Sequence, residues 1–312
     1  MSVAAGDEPS DRARELVRGA FDLHVHVGPD VIARRIDDVS LAGRFRELGL
    51  AGFALKSHYV PTAERAAVVR AAVPDVEAIG AIALNRAVGG LNPLAVEIAA
   101  REGARIVWLP TVDALNETAG HEPPRPGDKL PAWASMQHEL RGLGMDVEPV
   151  PVVDDRGRPL DDARAVLEVV SRHDMVLATG HLGRDEIFAM VDAAFKQGVR
   201  QVVVTHPEFP SQNLSIADQR ELAARGALLE RCFTTPHTGK CTWDHWLGAT
   251  RAVGSEHSIL STDLGQRANP PVENGLALMA DRLLMAGFSE AEVRTMAVEN
   301  TRRVAGAAVV AA

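Results

Sequence analysis

The sequence predicts an α/β fold: a single (β/α)8 TIM barrel. Three observations point to it. Eight short apolar runs recur along the chain, longer helical patterns separate them, and polar, metal-capable side chains collect where the runs end. The length of 312 residues suits one such barrel. A doubly wound open sheet is the competing architecture, and eight repeats with polar ends favour the barrel.

The apolar runs span residues 21–27, 51–55, 76–84, 105–110, 175–179, 201–205, 226–230 and 258–261. Several are nearly continuous in Val, Ile, Leu and Ala, as parallel strands covered on both faces require. Between them, residues 37–48, 62–72, 93–101, 162–172, 185–197 and 216–225 carry apolar side chains at helical spacing. Gly49, Gly103, Gly198 and Gly226 close four of these patterns just before the next strand, the signature of a C-cap and a tight turn. Two stretches break the rhythm. Residues 111–131, rich in Pro, Gly and charge, form a long loop after strand 4 and are expected on the catalytic face as a lid. Residues 147–160, centred on Asp154-Asp155-Arg156-Gly157, read as a small hairpin inserted before helix 5. The expected organisation is an N-terminal helical or flexible extension (1–20), the barrel (21–306) and a loose tail (307–312).

Apolar residues make up 46% and charged residues 24%, an ordinary balance for a soluble globular protein. The net charge of -9, with no basic block to offset it, argues against nucleic-acid and anionic-membrane partners. Local arginines still leave room for an anionic small-molecule substrate. The first 20 residues hold no apolar core of signal-peptide type, and no run approaches a membrane span, so a cytoplasmic location is expected. Two cysteines, Cys232 and Cys241, do not make a disulfide framework. Homo-oligomerisation is open.

Function is written at the strand ends. His24 and His26 close the first run, and side chains two apart on a strand point the same way, so they form half of a metal site. His181, His206 and Asp263 end later runs in ATGH, VTH and STD. In a barrel such ends converge over the axis. Neutral imidazoles and a carboxylate suit Zn(II), Mn(II) or Fe(II).

These residues resemble the amidohydrolase superfamily of metal-dependent hydrolases, from about Phe21 to about Gly306. The marks of that family are HxH on strand one, a histidine after strand five, another after strand six and an aspartate after strand eight. His24, His26, His181, His206 and Asp263 match them one by one. The closing segment 298–306 also resembles the family's terminal helix. The resemblance implies a divalent metal, zinc first, with one or two ions per chain. It implies hydrolysis of a C–N bond (amide, lactam or cyclic amide) by metal-bound hydroxide, with Asp263 as ligand and general base and His206 and Lys56 as further catalytic residues. Many members bridge two metals with a carboxylated lysine, often on strand four. Here the fourth run, RIVWLP, ends without one, and Lys56 after strand two is the candidate bridge. Lys56 as a cation gripping an anionic substrate stays open beside that reading, as does His58, on the same face, as a replacement ligand.

Substrate contacts are expected from the same strand ends. Arg86, in Asn85-Arg86 after the third run, is placed to hold a carboxylate or phosphate, with a surface ion pair as the alternative. Tyr59, the sole tyrosine, either hydrogen-bonds substrate or packs. Gln266 follows Asp263 closely. Asp30, Arg34 and Arg35 follow HxH and either gate the site or bind charge, with a solvated Arg34–Arg35 pair as the alternative; Glu230, Cys232 and His237, after the seventh run, are candidates to face the substrate, with Cys232 as a buried small hydrophobe the alternative. Rival activities on the same barrel are a lactone, ester or phosphoester hydrolase and a mononuclear, non-hydrolytic decarboxylase; a non-enzymatic binding barrel is the rival from another class.

Overall fold

The computed structural model describes residues 8–118 and 130–306. Its strands are β1 (Phe21–Val25), β2 (Gly52–Leu55), β3 (Glu77–Ala83), β4 (Ala104–Trp108), β5 (Val176–Ala178), β6 (Gln201–Val204), β7 (Leu228–Cys232) and β8 (Ser258–Ser261). They form one eight-stranded sheet in the order β1 to β8, with parallel neighbours. The last strand returns to the first: Asp263 N–H donates to the His24 carbonyl and His26 N–H to the Leu264 carbonyl, both at 2.8 Å. The architecture is the (β/α)8 barrel that the sequence predicts.

All six expected helices form, as Asp38–Leu48, Ala63–Ala72, Pro93–Arg101, Asp161–Arg172, Arg184–Lys196 and Ile216–Ala224. The glycines that close four of them take left-handed backbone, with φ of 70° at Gly49, 99° at Gly103, 86° at Gly198 and 101° at Gly226. Three longer helices lie outside those six. Ala132–Gly142 buries only Ala134 and Gln137, so its apolar stripe is thin. Val272–Met285 is buried on most of its faces, which erases the periodicity of an amphipathic helix. Trp243–Val253 is the third. The 147–160 hairpin is present: Val153 and Pro159 form an antiparallel bridge, and Gly157 turns the chain at φ 72°. Of the 111–131 loop, residues 119–129 lie outside the described residues, as do 1–7 of the extension and the 307–312 tail.

The chain divides into two compact units. The first takes in residues up to Lys56, Arg65–Ile79 and everything from Leu229 onward. Phe45, Phe53, Trp246, Leu264, Leu276 and Met296 are buried in its core, and burial of each such side chain contributes about 1.5–3 kcal/mol. Helix Asp11–Leu16, capped by Ser10, is sewn to it where Ser10 donates to Asp281 through N–H at 2.8 Å and Oγ at 2.6 Å. The second unit comprises Ser57–Glu64 and Gly80–Leu228, with Val96, Ile106, Val166, Leu177, Met190 and Val203 buried. Among the described residues, no helix is long and apolar enough to cross a membrane.

Candidate metal centre

In the first unit, β1 places Asp22, His24 and His26 at alternate positions, which share one strand face. Asp22 sets the register of the chain that carries Asp263. Its Oδ1 accepts the Thr262 N–H at 2.9 Å, and its Oδ2 accepts the Thr262 hydroxyl at 2.6 Å. Burial pushes the Asp22 carboxyl up to about 7, against the opposing pull of those Thr262 bonds.

Asp263 follows with φ 53°, left-handed backbone that few residues other than glycine adopt. Its Oδ1 lies 3.2 Å from His24 Nε2 and 3.1 Å from His26 Nε2. The three residues form a ligand-sized cluster. A tetrahedral ion with bonds of 2.0–2.1 Å spaces its donors by about 3.3 Å, so the cluster fits one small divalent cation. Thr234 Oγ1 donates to Asp263 Oδ2 at 2.8 Å and fixes the carboxylate plane. Burial alone would raise the Asp263 carboxyl, but His24, His26 and Lys56 outweigh it and hold the group well below the usual carboxylate range. Burial, with the charge of Arg34 added, lowers His26 to about 3, so its imidazole is neutral at pH 7, as ligation requires.

Glu230 on β7 supplies the orientation of His24, with Oε2 3.3 Å from Nδ1. A carboxylate on Nδ1–H leaves the Nε2 lone pair for a cation. A second cluster, His24 with Glu230 and Cys232, uses that same Nδ1, with Cys232 Sγ at 3.9 Å. Burial pushes the Cys232 thiol well up, which keeps it protonated and a weak ligand, so the Nε2 side is the better cation site. Lys56, just beyond β2, brings Nζ to 2.9 Å from His24 Nε2. Gln266 braces the turn after Asp263: its Nε2 donates to the Asp263 carbonyl at 2.9 Å, and its Oε1 accepts from Asn269 Nδ2 at 2.7 Å. Gly265, at φ 133°, admits no side chain, because a Cβ there would fall 1.6 Å from the His26 carbonyl oxygen.

The second unit gathers His58, His181 and His206. The His181 ring lies 4.9 Å from that of His206 and 5.9 Å from that of His58. His181 Nδ1 is 2.9 Å from Glu117 Oε1, and His206 Nδ1 is 3.1 Å from Gln212 Oε1. Ser211 Oγ donates to Glu117 Oε1 at 2.7 Å and lies 3.2 Å from Gln212 Oε1. His206 Nδ1 thus meets an oxygen by the same device that Glu230 applies to His24, while His181 Nδ1 has the Glu117 carboxylate as an ion-pair neighbour. Gly180 makes His181 possible: at φ 62°, any Cβ would sit 2.3 Å from the Leu109 carbonyl oxygen. His206 itself has φ 26°.

The remaining expected substrate contacts fall around this second group. Asn85 spends its amide internally: Nδ2 donates to the His58 carbonyl at 2.8 Å and Thr111 Oγ1 at 2.6 Å, while Oδ1 accepts the Thr111 N–H at 2.8 Å and the Asp113 N–H at 3.2 Å. Thr111 Oγ1 in turn lies 2.9 Å from His58 Nδ1. The Tyr59 ring stands edge-on to His58 at 6.2 Å. The Arg86 guanidinium donates to the carbonyls of Glu148 at 2.8 Å and Pro149 at 3.0 Å. Sequence reasoning did not single out Asp22, Thr234, Glu117 or Gln212. Asp22 was legible two residues before His24 on the same strand face, whereas Glu117 and Gln212 stand in loops, which carry no periodic signal.

Residues 19–230 match the family described as "Family of unknown function (DUF6282)". No curated protein matches the chain. Among solved structures, the chain is similar to an amidohydrolase from Pseudomonas aeruginosa, with 14% identity and a TM-score of 0.61 over 94% of this chain and 97% of that one. It is also similar to the probable dipeptidase PvdM from Pseudomonas aeruginosa, with 12% identity and a TM-score of 0.58 over 95% and 97%. A third likeness is to an amidohydrolase from Burkholderia multivorans with bound zinc, with 13% identity and a TM-score of 0.56 over 93% and 99%. At such identities the likeness is one of fold alone, that of a (β/α)8 barrel.

Proposed function

Because this chain belongs to DUF6282, a family whose description leaves the reaction open, we propose from the chemistry of the site that it is a metal-dependent hydrolase. Its target on this reading is a C–N bond in a small molecule: an amide, a lactam or another cyclic amide. The observation that carries the reading is the spacing of His24 Nε2 and His26 Nε2 at 3.2 and 3.1 Å from Asp263 Oδ1. These residues would hold the cation, and His181 and His206, with their Nδ1 atoms against Glu117 and Gln212, are proposed as metal-binding for the same reason. Zinc is the favoured ion on the donor set, with Mn(II) and Fe(II) as alternatives.

When bound, the cation supplies a water of lowered pKa and a Lewis acid for the scissile carbonyl. Asp263 is the general base: its carboxyl is ionised at neutral pH, and it takes a proton from the attacking water and returns it to the leaving nitrogen. Thr234 keeps that carboxylate from rotating. Lys56 either offers positive charge to the developing oxyanion or, carboxylated, adds an oxygen ligand.

Elemental analysis of protein purified without chelator or nickel resin tests the reading first. At least one divalent ion per chain is expected, and two would mean that Lys56 or the second histidine group also takes part. No metal, and none after addition of Zn(II) or Mn(II), overturns it. A panel of amides, lactams, lactones and phosphoesters then tests the bond: turnover of lactones or phosphoesters alone removes the C–N assignment and keeps the hydrolase.

A further inference from the structure

The loop after β1 carries an ion pair that is almost wholly buried. The Arg34 and Asp30 side chains are 5% and 2% exposed. Arg34 Nε and Nη2 both lie 2.7 Å from Asp30 Oδ2, and Asp30 Oδ1 accepts the Ile32 N–H at 3.3 Å. Taking a guanidinium out of water to meet one carboxylate oxygen adds little stability by itself. The loop is pinned so that the pair cannot drift. Gly28 N–H donates to the Ile36 carbonyl at 2.9 Å, Arg35 N–H donates to the Gly265 carbonyl at 2.8 Å, and Arg34 bridges Gln266.

Asp30 thus locks one edge of the guanidinium plane. The other edge stands beside the metal cluster, with Nη2 3.5 Å from His26 Nδ1. Among the described residues no acceptor meets Nη1. We infer that Arg34 is an anion-binding residue of this site, and that the substrate is an acidic amide carrying a carboxylate a few bonds from the scissile C–N bond. The inference rests on the hydrolase reading of His24, His26 and Asp263. With His26 Nε2 given to a cation, its Nδ1 carries the proton, and Nδ1–H and Arg34 Nη2–H become two donors 3.5 Å apart. One carboxylate oxygen about 2.8 Å from each accepts from both, and the planar fork leaves Nη1 for the second oxygen. A chain of net charge -9 repels an acidic substrate at long range, so a fixed local cation is what would hold it.

The test is calorimetric titration of the zinc-loaded full chain with succinate and with its neutral diamide, with zinc content measured on the same samples. Wild type is expected to bind succinate at least tenfold more tightly than the diamide. Arg34→Gln is expected to weaken succinate by roughly tenfold or more and to leave the diamide and the zinc content unchanged. Because Arg34→Gln alone strands Asp30, the double variant Asp30→Asn with Arg34→Gln, which keeps a neutral hydrogen-bonded pair, should show the same loss with wild-type melting. Unchanged succinate binding in the double variant, no succinate binding by wild type, or loss of zinc on substitution overturns the inference. A wild-type chain without zinc sinks the metal reading instead, and succinate binding that still depends on Arg34 there preserves the anion site.

Discussion

Asp263 carries the heaviest demands of any single residue: left-handed backbone, a buried charge and two imidazoles at contact distance. Asp263→Asn keeps the shape and loses the basicity. We expect kcat to fall by about 10²-fold or more, the usual worth of a general base, with a smaller effect on metal content. An active Asn variant would remove the base assignment. His24→Ala should strip the metal outright, and Glu230→Gln should weaken it by roughly 10–100-fold by loosening the His24 tautomer; equilibrium dialysis reads both. Asp22 gives a pH signature. Its carboxyl is raised from 3.8 to about 7 by burial, so the folded state holds a proton that the unfolded chain releases. Stability from this group is full below about pH 4 and is lost as pH rises to about 7. Asp22→Asn, which retains an acceptor for the Thr262 N–H, should flatten that slope in denaturant titrations of the metal-free protein.

Single elements are held by glycines whose roles differ with position. Gly265→Ala would drive a Cβ into the His26 carbonyl, so it should cost metal binding as well as stability. Gly43, inside helix Asp38–Leu48 with nothing within 4 Å of its Cβ direction, should respond in the opposite way. Gly43→Ala is expected to stabilise by about 0.5–1 kcal/mol, as thermal unfolding would show. The same contrast explains what was legible in the sequence. The strands and six helices announce themselves because burial imposes a period, and His24, His26, His181, His206 and Asp263 because each ends such a strand. Helix Val272–Met285 was silent because burial on most of its faces leaves no stripe. Glu117, Gln212 and Thr234 were silent because their roles depend on where loops carry them. Arg86 shows the limit from the other side: its position after β3 is legible, but the two carbonyls under its guanidinium belong to a distant hairpin.

At the scale of the whole molecule, a bound ion links the site to the fold. A ligand that binds only the folded state stabilises it by about 2.7 kcal/mol at a hundredfold excess over Kd. Chelation should therefore lower the melting temperature by several degrees, and His26→Ala should be insensitive to chelator; equal shifts in both would separate the metal from this cluster. The first unit is also discontinuous in sequence, with Asp22 and its partner Thr262 240 residues apart. During synthesis at 5–20 residues per second, β1 leaves the ribosome roughly 10–50 s before the strand that completes its site. Throughout that interval His24 and His26 are a pair on a nascent chain, without Asp263 to complete the cluster. On the proposed metal reading, the His24–His26–Asp263 cluster is complete only after translation has delivered the eighth strand.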